Sequence, residues 1–213
     1  MTHVPTKPEL TRILQPWVCR SAALEFFDVT AKNAEYSALR AHIHGNSKEF
    51  VPPGRYVRLM IYDELMMSDT PNEWQTNSAA MRYLTGDVLI AGLGIGMMLI
   101  PVLQNSAVTN VTVVEKNPDV IQLIEPHIRK HIPEQTKLFV QCEDIFTWNP
   151  PRGTRFDSQY FDIWQHVTSD NVEGMSALRR RFGKHLNRKN PNRWVGCWEE
   201  RVCRHMKRRA GCW

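Results

Sequence analysis

Residues 88–96 read Val-Leu-Ile-Ala-Gly-Leu-Gly-Ile-Gly, an apolar run that breaks into glycines at every second position, Gly92, Gly94 and Gly96. Near-continuous aliphatics are what a strand buried on both faces requires. Glycines directly behind it let the backbone turn tightly and approach a ligand with no Cβ in the way. The stretch therefore predicts a strand, a nucleotide-binding turn and the start of a helix. A dinucleotide fingerprint, G-x-G-x-x-G, would put its third glycine at position 97, where Met97 stands, and this argues against an NAD-linked oxidoreductase.

Downstream of this turn the sequence alternates between strand-like and helix-like segments. Strands are expected over residues 88–91, 111–114, 138–141 and 158–161, with helices over 96–104, 118–131, 171–186 and 199–209. Such alternation marks a parallel sheet. At most one further short strand fits, near residues 193–197. The expected fold class is α/β: a Rossmann-like, mostly parallel sheet with flanking helices, shortened after its fourth strand. An N-terminal extension precedes it, with a strand over 22–30, a helix over 31–44 and a loop over 45–54. A β-hairpin over 56–67 then turns at Asp63 and Glu64. Ser68-Asp69-Thr70-Pro71 opens a helix, since Asp69 or Thr70 can cap it and Pro71 suits its first turn. The expected organisation is an extension over 1–84, a cofactor-binding core over 85–170 and a basic helical region over 171–213.

At 213 residues the chain is long enough for one sizeable core. Its five cysteines, Cys19, Cys142, Cys197, Cys203 and Cys212, are odd in number and form no C-x-x-C pair. That pattern predicts reduced thiols in a cytoplasmic setting, with no metal site, because the spacing of Cys197, Cys203, His205 and Cys212 matches no zinc motif. The opening Met-Thr-His-Val-Pro-Thr-Lys-Pro carries no apolar run, so no signal peptide is expected. The longest apolar run, residues 88–103, contains three glycines and Pro101 and falls short of the about 20 residues of a spanning helix, so no membrane partner is expected.

The net charge of +5 is unevenly spread. A block opening at Arg179 and closing at Arg209 holds 12 of the 27 lysines and arginines but only Glu199 and Glu200 of the 22 acids, which leaves −5 on the first 178 residues. Such a block is either a nucleic-acid contact or a solvated helix face.

Ligands of a doubly wound sheet sit at the carboxyl ends of its strands, so the residues that end each strand carry the chemistry. Glu115 ends the second strand 23 residues after Gly92, near the roughly 20 at which an acid accepts two ribose hydroxyls. Asp144 follows the third, with Glu143 as a rival, and can accept from an adenine amino group. Asp162 ends the fourth, where it faces either the reacting centre or only the next helix, with Asp157 as the alternative exposed acid. Each of these acids can instead cap the helix that follows it.

The succession Gly-Leu-Gly-Ile-Gly, Val-Val-Glu-Lys-Asn-Pro, Cys-Glu-Asp-Ile-Phe and Phe-Asp-Ile-Trp resembles the class I S-adenosylmethionine-dependent methyltransferases. The upstream hairpin with Met-Ser-Asp-Thr-Pro-Asn-Glu resembles their spermidine synthase-like branch. The resemblance covers residues 56–164 and implies S-adenosylmethionine as cofactor. It also implies contacts from Gly92, Gly94 and Gly96, a ribose bound by Glu115, an adenine held by Asp144 and Ile145, and Asp162 as the catalytic residue facing the acceptor. Two positions depart from the pattern. Ala91 stands where many methyltransferases carry an acid, and Ile95 stands where spermidine synthases carry an aspartate that engages the cofactor's amine.

Methyl transfer to an unknown acceptor is thus the expected activity. Aminopropyl transfer to a polyamine and a non-catalytic cofactor- or nucleic-acid-binding role are the alternatives. A sheet this short implies that oligomerisation or a large acceptor closes the pocket. Asn149-Pro150-Pro151-Arg152 precedes the fourth strand and reads as a loop, His127 and His131 as exposed helix residues. Trp194 and Trp198, at i,i+4 spacing, read as anchors of the terminal helix or as a stacking platform beside Arg193 and Arg201.

Overall fold

The computed structural model describes residues 6–45, 47–133 and 136–210. Cys212 and residues 1–5 of the N-terminal reading lie outside the described residues. Two sheets organise the chain. After a short helix α1 (Leu10–Ile13), strands β1 (Trp17–Cys19), β2 (Ala22–Val29), β3 (Gly54–Ile61) and β4 (Glu64–Ser68) pair antiparallel in that order. Helix α2 (Ala31–Ile43) joins β2 to β3, and Thr30 caps it by accepting from the Asn33 amide. The β3–β4 turn is Tyr62-Asp63, one residue earlier than expected, and both residues have positive φ, 49° and 63°. That backbone matches the right-handed twist of the strands it joins. Helix α3 (Pro71–Met81) then leads to the second sheet.

This second sheet contains β5 (Gly86–Ala91), β6 (Val108–Glu115), β7 (Lys137–Cys142), β8 (Ser158–Phe161) and β9 (Trp194–Cys197), with every neighbouring pair parallel. Its order is β7-β6-β5-β8-β9. Helices α4 (Leu99–Leu103), α5 (Pro118–Ile128), α6 (Asn171–Phe182) and α7 (Glu200–Ala210) complete it. The fold is therefore the expected α/β arrangement, a five-stranded parallel sheet flanked by helices. Central strand β5 is apolar from Val88 to Ala91 because both of its faces are covered. On one face Val88, Ile90, Val111, Val113 and Tyr160 pack with Leu123 and Ile124 of α5 and with residues of the first sheet. On the other, Leu89, Ala91, Val114 and Phe161 pack on Val172, Met175, Leu178 and Phe182 of α6.

Three local readings change. The helix expected over 96–104 begins later, because Gly92, Gly94 and Gly96 all have positive φ and the chain spends residues 92–98 in a turn before α4. Helix α6 stops at Phe182 and passes into a 3-10 turn over Gly183–His185. Trp194 is not a helix anchor but part of β9, stacked 5.2 Å from Tyr83, while Trp198 lies just beyond that strand and donates to Thr76 Oγ1. Among the described residues β9 has β8 on one side and no strand on the other. There Arg179 of α6 donates to the Val195 carbonyl at 2.9 Å and pairs with Glu200, which also holds Arg204.

Candidate active site

The strand order reverses between β5 and β8, since β6 and β7 lie to one side and β9 to the other. Connections leaving in opposite directions open a crevice at the carboxyl ends of those two strands. A cavity of about 1630 Å³ lies there, between the second sheet and strands β3 and β4 of the first. That exceeds the roughly 300–1,000 Å³ of a site for one small molecule.

Gly92 (φ 93°) begins the turn, and a Cβ on it would collide with the Asp162 carbonyl oxygen. Only glycine lets β5 and β8 end this close together. Gly94 lines the cavity as well, whereas Gly96 is turned away, its α-carbon facing Ile128 and Ile124 of α5. Gly96 thus serves helix packing. Ile95 is fully buried in the core, so position 95 presents its side chain to α4 and α5 and not to a ligand. The position at which spermidine synthases carry an aspartate thus does not line the cavity.

Glu115 ties the turn to the next helix. Its Oε2 accepts from the Leu93 amide at 2.9 Å and its Oε1 from the Asn117 amide at 2.8 Å. Asn117 in turn caps α5 by accepting from the Asp119 amide. Asp119 accepts from the Ser21 hydroxyl and amide, and these two bonds hold its carboxyl below the usual range. Asp144 uses Oδ1 to accept from the Phe146 amide, closing a tight turn that sets buried Ile145 and exposed Phe146 on the cavity wall. Glu143 lines the wall beside them. The cavity therefore brings together Gly92, Gly94, Glu115, Asp144, Ile145 and Asp162, and leaves out Gly96.

Beside the start of the turn stands Asp162, its carbonyl against Gly92. Burial, and then the charge of Glu73, raise its pKa to about 7. Glu73, on α3, is itself raised to about 7 by burial, with bonds from the Ser68 amide and hydroxyl pulling it back and Asp69 adding to the rise. Sequence reading missed Glu73. Thr70-Pro71-Asn72-Glu73 has the spacing of a capping box, in which the glutamate would reach back to the cap residue. Here it reaches past Thr70 to Ser68, and Thr70 makes no side-chain cap bond. On the next turn of α3 Asn77 accepts from the buried Tyr160 hydroxyl at 3.1 Å, and Thr76 accepts from Trp198. Glu199, Trp164 and Trp198 line the same cavity.

The alternative acid, Asp157, is structural. It accepts from the Asp87 amide and from Asn187 and Asn190, and these bonds outweigh burial to leave its pKa lowered. His127 and His131 lie off the cavity wall. Cys197 and Cys203 are buried, and burial pushes the Cys197 thiol up to about 12, which makes it a poor nucleophile. The basic block is partly consumed by the fold: Arg179 and Arg204 hold Glu200, and Arg181 donates to the Thr147 and Trp148 carbonyls. Arg201, Lys207, Arg208 and Arg209 of α7 remain exposed. Among the described residues no helix is long and apolar enough to cross a membrane.

No protein-family model matches this sequence, and no curated protein does. Among solved structures, the chain is similar to the N-methyltransferase NodS from Bradyrhizobium japonicum. That match has 14% identity and a TM-score of 0.44, over 63% of this chain and 73% of that one. It is also similar to an S-adenosylmethionine-dependent methyltransferase from Clostridium acetobutylicum, with 17% identity and a TM-score of 0.37 over 51% and 42% of the two chains. The plantazolicin methyltransferase BpumL, solved with SAH, has 14% identity and a TM-score of 0.38 over 53% and 41%. The match spans about two-fifths of the length of the last two.

Proposed function

We propose that this chain binds S-adenosylmethionine and methylates a nitrogen of an amine-bearing acceptor. The observation that carries this reading is one cavity lined by two unlike sets of residues. A glycine turn, Glu115 and the Asp144 turn form one set, and the raised carboxyls of Glu73 and Asp162 form the other.

The residues present fit the cofactor. Each Glu115 oxygen accepts one backbone amide and keeps a further lone pair, matched to a pair of ribose hydroxyls. Ile145 and Phe146 offer apolar faces to a planar base, and Asp144 an acceptor for its amino group. When bound, S-adenosylmethionine supplies an electrophilic methyl group on a sulfonium sulfur.

The chain's own work on the acceptor is positioning and proton transfer. As a carboxylate, Asp162 takes one proton from an acceptor ammonium and frees the nitrogen lone pair for the new C–N bond. The product leaves as the methylated ammonium. A pKa near the working pH lets Asp162 accept that proton and return it to solvent. Glu73 and Glu199 supply negative charge to hold the cation, and the Trp164 and Trp198 rings add faces that attract cations.

Aminopropyl transfer from decarboxylated S-adenosylmethionine is a second reading, favoured by the same acids, Glu73, Asp162 and Glu199. Calorimetric titration with S-adenosylmethionine, its demethylated product, decarboxylated S-adenosylmethionine and NAD separates them. Binding of the first two, followed by methylation of an amine panel, is the expected result. Preference for the decarboxylated form selects aminopropyl transfer, tight binding with no turnover selects a non-catalytic role, and binding of none overturns the cofactor reading.

A further inference from the structure

Strand β4 lines the cavity and is fastened on either side of Met67. The Leu65 carbonyl accepts from Gln165 Nε2 at 2.8 Å, and the Ser68 amide and hydroxyl are held by Glu73. From the middle of this strap Met67 reaches onto the glycine turn. Its Sδ accepts from the Ile95 amide at 3.3 Å, and a Cβ on Gly94 would collide with that same sulfur. The thioether thus lies on the part of the turn that faces the cavity, on a backbone donor at the site where a ligand would be bound.

Three physical facts decide what such a contact does. A thioether is a weak acceptor, so it satisfies a buried amide without holding it firmly. A methionine side chain has three rotatable bonds and repacks at small cost. A ligand carboxylate accepts the same amide in a charge-assisted bond roughly twice as strong. The contact therefore satisfies the turn while no ligand is bound and yields to a ligand that carries an acceptor.

We propose that Met67 is a displaceable stopper of the cofactor site. Its thioether occupies the Ile95 amide in the free protein and swings away as the amino-acid end of the ligand takes its place. This rests on the cofactor reading above and adds to it a residue that sets affinity and selects ligands bearing an acceptor at that end.

The test compares the full chain with Met67→Ala and Met67→Leu. Titration with the demethylated cofactor product is measured by calorimetry, and exchange of the Ile95 amide is followed by NMR without ligand. Removing the competitor should tighten binding roughly threefold to tenfold in Met67→Ala and speed Ile95 exchange. Met67→Leu, with similar bulk and no acceptor, should speed exchange without tightening binding to the same degree. Unchanged or weaker binding in Met67→Ala overturns the stopper, and so does unchanged Ile95 exchange in both variants. Faster exchange with no binding by any of the three proteins overturns the cofactor reading and leaves the Met67–Ile95 contact standing.

Discussion

Glu73 of helix α3 raises the pKa of Asp162 at the end of β8, although the two acids stand 89 residues apart in the sequence. Burial is the larger cause for both, and both come to about 7. A carboxyl whose pKa is raised on folding stabilises the fold most below its unfolded value, and that advantage is lost as pH rises through the folded value. The pair therefore makes the protein progressively less stable as pH rises from about 4 to 7, and the full loss persists above that.

Glu73→Gln keeps an oxygen for the Ser68 amide and removes the charge. At pH 8 this variant should be more stable by about 1 kcal/mol, raising Tm by about 2–4 °C. At pH 4, where the wild-type carboxyl is already protonated, the two proteins should melt together. The acid limb of the rate profile should also move to lower pH, because Asp162 loses a negative neighbour. Melting curves and initial rates across pH 4–9 check both statements, and an unmoved acid limb would remove Asp162 as the titrating group.

Glu115→Ala is expected to lose cofactor binding, but it also strips acceptors from the Leu93 and Asn117 amides. It should cost about 1–3 kcal/mol of stability for that reason alone. Glu115→Gln separates the effects, since it keeps one acceptor oxygen while losing the charge and half the capacity to accept hydroxyls. Calorimetry should show binding weakened at least about tenfold in Glu115→Gln, with a stability loss smaller than that of Glu115→Ala.

Gly92 and Gly153 have nearly the same φ, 93° and 90°, but different surroundings. A Cβ on Gly92 meets the Asp162 carbonyl, whereas one on Gly153 meets nothing within 4 Å. Gly153→Ala should therefore cost only the backbone penalty, about 1–2 kcal/mol. Gly92→Ala should cost about 3 kcal/mol or more and abolish ligand binding, because β5 and β8 must separate. Urea unfolding of the two variants compares them directly.

Arg179→Ala leaves the Val195 carbonyl without its guanidinium and Glu200 with Arg204 alone. A loss of about 1–3 kcal/mol is expected at pH 7. Burial alone would push the Glu200 pKa up, but bonds from Arg179 and Arg204 outweigh it and leave it lowered. Its contribution is thus present above the unfolded pKa and is lost as pH falls through the folded one, the opposite sign to Glu73. The difference between wild type and Arg179→Ala should shrink on acidification, which denaturant titrations at pH 7 and pH 3 would show.

Much of the second sheet was legible because strand-ending acids and glycines sit in aliphatic runs whose periodicity survives folding. Strand β8 matches its expected bounds residue for residue, Ser158–Phe161. Glu115 and Asp162 follow from their strands. Gly96 and Ile95 were harder, since spacing identifies a turn but not which way each residue of it points. Glu73 was hidden, because nothing on α3 marks an acid whose surroundings arrive from β4 and β8. Residues 193–197 fit a short strand, yet the i,i+4 spacing of Trp194 and Trp198 also suits a helix face; Trp194 lies on β9 and Trp198 just beyond it.

Among the described residues the four-residue strand β9 is finished by a side chain and not by another strand. Its outer rim could otherwise recruit an extended segment of a neighbouring molecule, which is how sheets grow into fibrils. A guanidinium on the Val195 carbonyl places a charge on that rim. Arg179 therefore bears on colloidal behaviour as well as on folding: losing it would leave the protein with an open template, and shelf life in concentrated solution would be the first property to change.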